Sequence, residues 1–270
     1  MSQRVSCHVP WFVLCVVLML APAAHADAVD DLAVVEARVL ASLEGPTRRL
    51  SYPGAEHLTE ARARIEAGET AEARAALAAW LDLAYRHSNW WVLPVPIPRA
   101  VGEIALLLRD DLGADRTARV ARVLRRAWAP PRGGIGVGAN LFYRVDAGVL
   151  HALLLRDAER LQGVVRRAAQ EIRVTDGEGI QEDRSFLQHG PQLYTGSYGL
   201  EYIRGAIRVL ELGQGTGLAL APEKRDLLLA LVLDGLQWMV HGPMIDPGAQ
   251  GRSFSRTGAG RGGRTVRGFV

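Results

Sequence analysis

Leu141-Phe142-Tyr143-Arg144-Val145-Asp146-Ala147-Gly148-Val149-Leu150-His151-Ala152-Leu153-Leu154-Leu155 decides the fold class, together with residues 158–172 two positions further on. Apolar residues recur through both at helical spacing, and only two residues separate them. The same period predicts helices over 30–42, 58–67, 71–85, 98–109, 116–128, 200–212 and 223–240. Pro98 suits a first helical turn, and Pro130-Pro131 ends the helix before it. Runs of alternating β-branched residues are few. Many helices of similar length, joined by Gly/Pro-rich turns, predict an all-α protein of stacked helical hairpins. A four-helix bundle would leave helices over, and no clean repeat period marks a TPR-like or HEAT-like array.

The irregular segments are 88–98, 130–140, 175–198 and 242 to the end, and they hold most of the unusual polar and aromatic residues. One window stands out: Phe186-Leu187-Gln188-His189-Gly190-Pro191-Gln192-Leu193-Tyr194-Thr195-Gly196-Ser197-Tyr198-Gly199. Its glycines and proline break regular structure and mark a shaped loop. Imidazole and phenol groups on such a loop suit proton transfer.

The N-terminus reads as an export signal. Arg4 supplies a positive start, residues 11–20 form an apolar run too short to span a bilayer, and Ala24-His25-Ala26 is an A-x-A cleavage pattern before Asp27. The alternative is a single membrane anchor. The expected organisation is a signal over 1–26, a helical domain over 27–256, and a disordered Gly/Arg-rich tail over 257–270. The protein is expected to be secreted, with no membrane span after cleavage. Both cysteines, Cys7 and Cys15, fall inside the signal, which excludes disulfides and thiolate chemistry from the mature chain. The formal charge of +3 is mild, and Lys224 is the single lysine. Such a balance is compatible with an acidic polymer but does not demand one. The arginines of the tail are not read as a nucleic-acid-tracking segment.

Four constellations could carry chemistry. Asn89-Trp90-Trp91 lies in a Pro-rich loop; indole faces suit sugar rings, although either tryptophan could equally plug the core. Gly133-Gly134-Ile135-Gly136-Val137-Gly138-Ala139-Asn140 lacks the preceding strand of a dinucleotide site. Its glycines would let backbone pass close to a ligand and present Asn140 at a helix start, where a plain N-cap is the simpler reading. The proton-transfer window follows Asp176, Glu178 and Asp183, but the spacing offers no two-histidine metal frame and a poor calcium loop. Last, Arg252 and Arg256 would share one helical face and hold an anion.

In this order, Asn89-Trp90-Trp91, Gly138-Ala139-Asn140, the run from His189 to Tyr198, and Gly251-Arg252 through Ser255-Arg256 resemble polysaccharide lyase family 8. Gly177-Glu178-Gly179-Ile180-Gln181 and His189-Gly190-Pro191-Gln192-Leu193-Tyr194 are the nearest matches. The resemblance runs from Asn89 to Arg256. It implies an incomplete α/α toroid and β-elimination at a uronic acid of hyaluronan, chondroitin or xanthan type, with no metal or other cofactor. It implies that Asn140 neutralises the substrate carboxylate. Tyr198 would take the C5 proton, protonate the leaving oxygen, or both, and His189 would polarise the carboxylate or share the base role. A phenol, ordinarily near about 10, is a poor base unless cations favour its ionised form; Arg252 and Arg256 would supply that field. Asn89, Trp90, Trp91, Gln188 and Tyr194 would bind substrate. Two departures are noted. The family's helical domain continues past the arginine motif into β-sheet domains and a further catalytic glutamate, so the cleft is expected to be incomplete, with a noncatalytic carbohydrate-binding remnant as the alternative. Arg184 also stands where the family favours a small or polar residue. A toroidal glycoside hydrolase using Asp176, Glu178 or Asp183 is the remaining reading.

Overall fold

A computed structural model describes residues 28–43, 55–83, 91–129, 136–242 and 244–255. The expected signal, Asn89, Trp90, Arg256 and the Gly/Arg-rich tail lie outside the described residues. The helices are α1 (Ala28–Ser42), α2 (Ala55–Glu66), α3 (Thr70–Asp82), α4 (Pro96–Leu107), α5 (Ala114–Trp128), α6 (Ala139–Leu155), α7 (Ala158–Glu171), α8 (Leu200–Gly213) and α9 (Pro222–Ala230). The expected all-α class is what the described residues form, and helix positions agree with the apolar period to within a turn, except over 223–240. No helix among the described residues is long and apolar enough to cross a membrane.

Sequence neighbours pack as hairpins: α2 on α3, α5 on α6 and α6 on α7. Helix α6 also meets α4 and α8, so four helices surround it, and 14 of its 17 residues are buried. A helix apolar all round has no solvent face to present, which is why α6 becomes the hub. Its neighbours α5 and α7 bury only narrow stripes, Val120, Leu124 and Ala127 on one and Leu161, Val164, Val165 and Ala168 on the other. Their arginine-rich faces stay in water.

The helix ends are closed by identifiable groups. Arg156 takes a left-handed conformation (φ 52°) after α6, and the Asp157 carboxylate accepts from the Arg160 amide at 2.8 Å to cap α7. Buried Arg144 of α6 donates to the carbonyls of Ala127 and Ala129, satisfying the C-terminal end of α5. Arg109 forks onto both Glu36 oxygens at 2.6 Å each, tying the segment after α4 to α1.

One expected helix, 223–240, is shorter than its apolar period. Helix α9 stops at Ala230, loosens into a π-helical turn (Leu231–Gly235) and tightens into a 3-10 turn (Leu236–Met239). Backbone from the Arg184 turn abuts Gly235, where a β-carbon would lie 2.1 Å from the Arg184 carbonyl oxygen. Two short antiparallel ladders complete the fold: β1 (Gly179–Ile180) with β2 (Phe186–Leu187), and β3 (Val240–His241) with β4 (Met244–Ile245).

His151 lies within α6, 3% exposed, and its Nδ1 has no hydrogen-bond partner among the described residues. Burial, then the charges of Arg160 and Arg125, push its imidazole down to about 4 against the usual 6.5, with Asp157 opposing. Between those values the unfolded chain holds more protons than the folded one. Stability therefore falls as pH drops through this window, by on the order of 3 kcal/mol once below both. Thermal unfolding midpoints measured across pH 4 to 6.5 should drop steeply for the parent and less for His151→Leu. Parallel slopes would rule His151 out as the source.

Candidate functional site

The proton-transfer window is a built turn, not an open loop. Ladder β1–β2 pairs Gly179 with Leu187 and Ile180 with Phe186. The connecting turn places Arg184 at φ 66°, with its Nη1 donating to the Glu182 carbonyl at 2.8 Å. Beyond β2, His189 (φ 58°) and Gly190 (φ 78°) are both left-handed. A left-handed residue with a side chain is uncommon and marks a conformation that its surroundings impose. Here the Gln188 amide donates to the Gln192 carbonyl at 3.2 Å, and the Gly190 amide donates to Glu178 Oε1 at 3.0 Å. The chain then returns, with the Tyr194 amide on the Phe186 carbonyl at 2.8 Å, and enters α8 through a π-helical turn, Thr195–Gly199. That wider turn carries Tyr198; such insertions recur where a helix must re-aim a side chain.

Against this turn lies the segment Pro247–Ser255, kinked at Gly251. Ser253 Oγ meets Ser197 Oγ at 3.2 Å. Arg252, exposed, sets Nη2 3.2 Å from His189 Nε2. A guanidinium has donors only, so Nε2 is the acceptor in this contact. The His189 and Tyr198 rings meet edge to face at 4.9 Å, and Tyr198 meets Tyr194 the same way at 4.9 Å. Imidazole, phenol and guanidinium thus converge from positions 189, 198 and 252.

Asn140 lies in the first turn of α6, 8% exposed, and its side-chain amide makes no hydrogen bond among the described residues. It is not the N-cap; Gly138 (φ 59°) holds that position. Three residues on, and so on the same helix face, Tyr143 takes an edge contact from Trp91 at 6.0 Å between centroids. Burial, then negative charge at Glu201 and Tyr198, push the Tyr143 phenol well above its ordinary value, with Arg204 opposing. Tyr143 was not singled out by its composition; its place three residues after Asn140 was the available signal. Trp91 is 36% exposed, so it lines the surface and does not plug the core.

Two expected substrate contacts are corrected. Gln188 and Tyr194 are both fully buried. Gln188 Oε1 accepts from the Ala139 amide at 3.1 Å while its Nε2 donates to Glu178. Tyr194 packs against both the His189 and Tyr198 rings, with its hydroxyl unpartnered among the described residues. Both therefore support the turn from beneath. Gly138, of the glycines before Asn140, passes close to Gln188: a β-carbon there would lie 2.4 Å from Gln188 Oε1, while Gly133 and Gly134 lie outside the described residues. Two of the three carboxylates considered for hydrolysis, Glu178 and Asp183, hold this turn together. Glu178 braces Gln188 and Gly190. Asp183 accepts from the Ser185 amide at 2.9 Å, and its bonds to Ser185 hold its carboxyl below the usual range.

Residues 66–266 match the family model described as polysaccharide lyase family 8, N terminal alpha-helical domain, and the chain belongs to that family. It is 29% identical over 184 residues to the chondroitinase-AC of Pedobacter heparinus, covering 66% of this chain and 25% of that one. It is 27% identical over 186 residues to the hyaluronate lyase HylA of Cutibacterium acnes, covering 63% of this chain and 22% of the relative. A solved chondroitinase AC lyase superposes with a TM-score of 0.69 at 25% identity, over 84% of this chain and 40% of that one. The chain spans about a quarter of the length of these curated relatives.

Proposed function

We propose that the protein is an exported polysaccharide lyase that cleaves a uronic-acid-containing polymer by β-elimination. The observation that carries this reading is the convergence of His189, Tyr198 and Arg252, with Arg252 Nη2 3.2 Å from His189 Nε2 and the His189 and Tyr198 rings 4.9 Å apart. Asn140, whose amide makes no bond to described residues, hydrogen-bonds the uronate carboxylate and disperses charge as the C5 proton leaves. Tyr198 takes that proton. The C5–H electron pair becomes the C4–C5 double bond, and the C4–O bond breaks with its pair on the glycosidic oxygen. Tyr198 then returns a proton to that oxygen, so no water is consumed. His189, held by Arg252, polarises the carboxylate. Trp91, exposed beside Tyr143, offers its ring face to a sugar. Arg4, the apolar run over 11–20 and Ala24-His25-Ala26 support the reading as an exported protein.

Incubating the purified protein with hyaluronan, chondroitin and xanthan tests the reaction class. A lyase produces ultraviolet-absorbing unsaturated ends together with new reducing ends, and Asn140→Ala should lower that rate by about 100- to 1,000-fold. Reducing ends without the absorbance would mean hydrolysis, and retardation on the polymer without either product would mean binding alone.

A further inference from the structure

We infer that Gln188 is a positioning residue that locks the helix start bearing Asn140 to the turn bearing His189. Its role in the reaction rests on the lyase reading above; the coupling itself rests on geometry. Gln188 is wholly buried and sits immediately before His189. Its Oε1 accepts from the Ala139 amide at 3.1 Å, one residue before Asn140. Its Nε2 donates to Glu178, whose other oxygen takes the Gly190 amide at 3.0 Å, one residue after His189. One amide side chain therefore spans both segments, and one carboxylate fixes that amide and the turn together.

The helix start is prepared for this bridge. The Gly138 amide donates to Glu171 Oε1 at 2.6 Å, and Arg167 binds both Glu171, at 3.0 Å, and the Gly136 carbonyl, at 2.8 Å. Gly138 has a positive φ and no room for a β-carbon, because Gln188 Oε1 occupies that space. The Gly138 and Ala139 amides at the start of α6 are thus each taken by a side chain from a distant position. An amide is the side chain this bridge requires, since it must accept from one backbone amide and donate to a carboxylate at once. A glutamate at 188 would face Glu178 with two acceptors, and an apolar residue would strand both partners.

The test uses the full chain and two readouts, hydrogen exchange over 136–141 and 188–192 and steady-state elimination. In Gln188→Met both segments should lose protection together, while kcat falls by about 10- to 100-fold and KM moves less than about threefold. Exchanging the pair, Gln188→Glu with Glu178→Gln, keeps one amide and one carboxylate facing each other and should recover both readouts. Should Gln188→Met fail to fold, Glu178→Ala at its half-buried site removes the brace instead, and the same paired loosening is expected. The inference is overturned if 136–141 exchanges as in the parent while 188–192 loosens, if folded Gln188→Met keeps the parent kcat, or if the exchanged pair recovers nothing. A parent that eliminates on no polymer yet loosens both segments together in the variant sinks the lyase reading and leaves the coupling standing.

Discussion

Tyr198→Phe is expected to abolish elimination while leaving polymer binding close to that of the parent. The substitution removes one oxygen and keeps the ring. The edge-to-face contacts with His189 and Tyr194, both at 4.9 Å, involve the ring and survive. Tyr198 is half-buried in the π-helical turn before α8, so the phenylalanine fills the same space without a cavity. What is lost is the atom that, in the proposed reaction, accepts the C5 proton and returns it to the leaving oxygen. General acid–base groups of this kind contribute about 100- to 10,000-fold, and in that proposal one group serves in both steps. The rate of ultraviolet absorbance increase and co-sedimentation with the polymer separate chemistry from binding. Turnover within tenfold of the parent would remove Tyr198 from the proton path, and equal loss of turnover and binding would make it a structural residue.

Gly251→Ala should cost both stability and turnover. Gly251 has φ 49° and ψ −141°, a conformation that side chains other than hydrogen rarely adopt. A β-carbon there would lie 2.4, 2.5 and 2.6 Å from Cε2, Cζ and Cδ2 of the Tyr194 ring. That ring is fully buried, so it has no free space in which to retreat. The cost should be about 2 to 4 kcal/mol, from overpacking together with backbone strain. The displacement falls on the proposed site: Arg252 follows directly, Ser253 meets Ser197, and Tyr194 backs both His189 and Tyr198. Gly68→Ala is the control. Its φ is 76° but nothing lies within 4 Å of an added β-carbon, so it should show backbone strain alone, about 1 kcal/mol. If both variants melt and turn over alike, the Tyr194 contact is not what requires glycine at 251.

The helices were legible because their signal is local. Apolar spacing predicted 141–155 and 158–172, and the structure has Ala139–Leu155 and Ala158–Glu171. The window from Phe186 to Gly199 was legible as an irregular, proton-bearing segment because glycine, proline, histidine and tyrosine gather there. Its internal form was not. A two-residue ladder with β1 and a π-helical turn leave no periodic trace, and both depend on what packs against them. Region 223–240 shows the same limit, because apolar spacing continues past Ala230 although the Arg184 turn presses on Gly235 and interrupts the helix.

For the site the division falls between residue type and side-chain direction. Composition marked the window holding His189 and Tyr198, and the pair Arg252 and Arg256, as places where protons and charge can be handled; the resemblance to polysaccharide lyase family 8 is what brought forward Asn140 and set Tyr198 ahead of Tyr194. The same resemblance brought forward Gln188 and Tyr194 as substrate contacts, and both point inward. Nothing in a linear string separates a histidine that meets an exposed arginine from a buried tyrosine five residues later that backs it. That separation is set by contacts between distant positions: Gln188 with Ala139, Gly251 with Tyr194, and Arg252 with His189 across 63 residues. Helical period arises from bonds between residues four apart and is therefore written locally, whereas the facing of a loop side chain is decided by whichever remote backbone leaves it room.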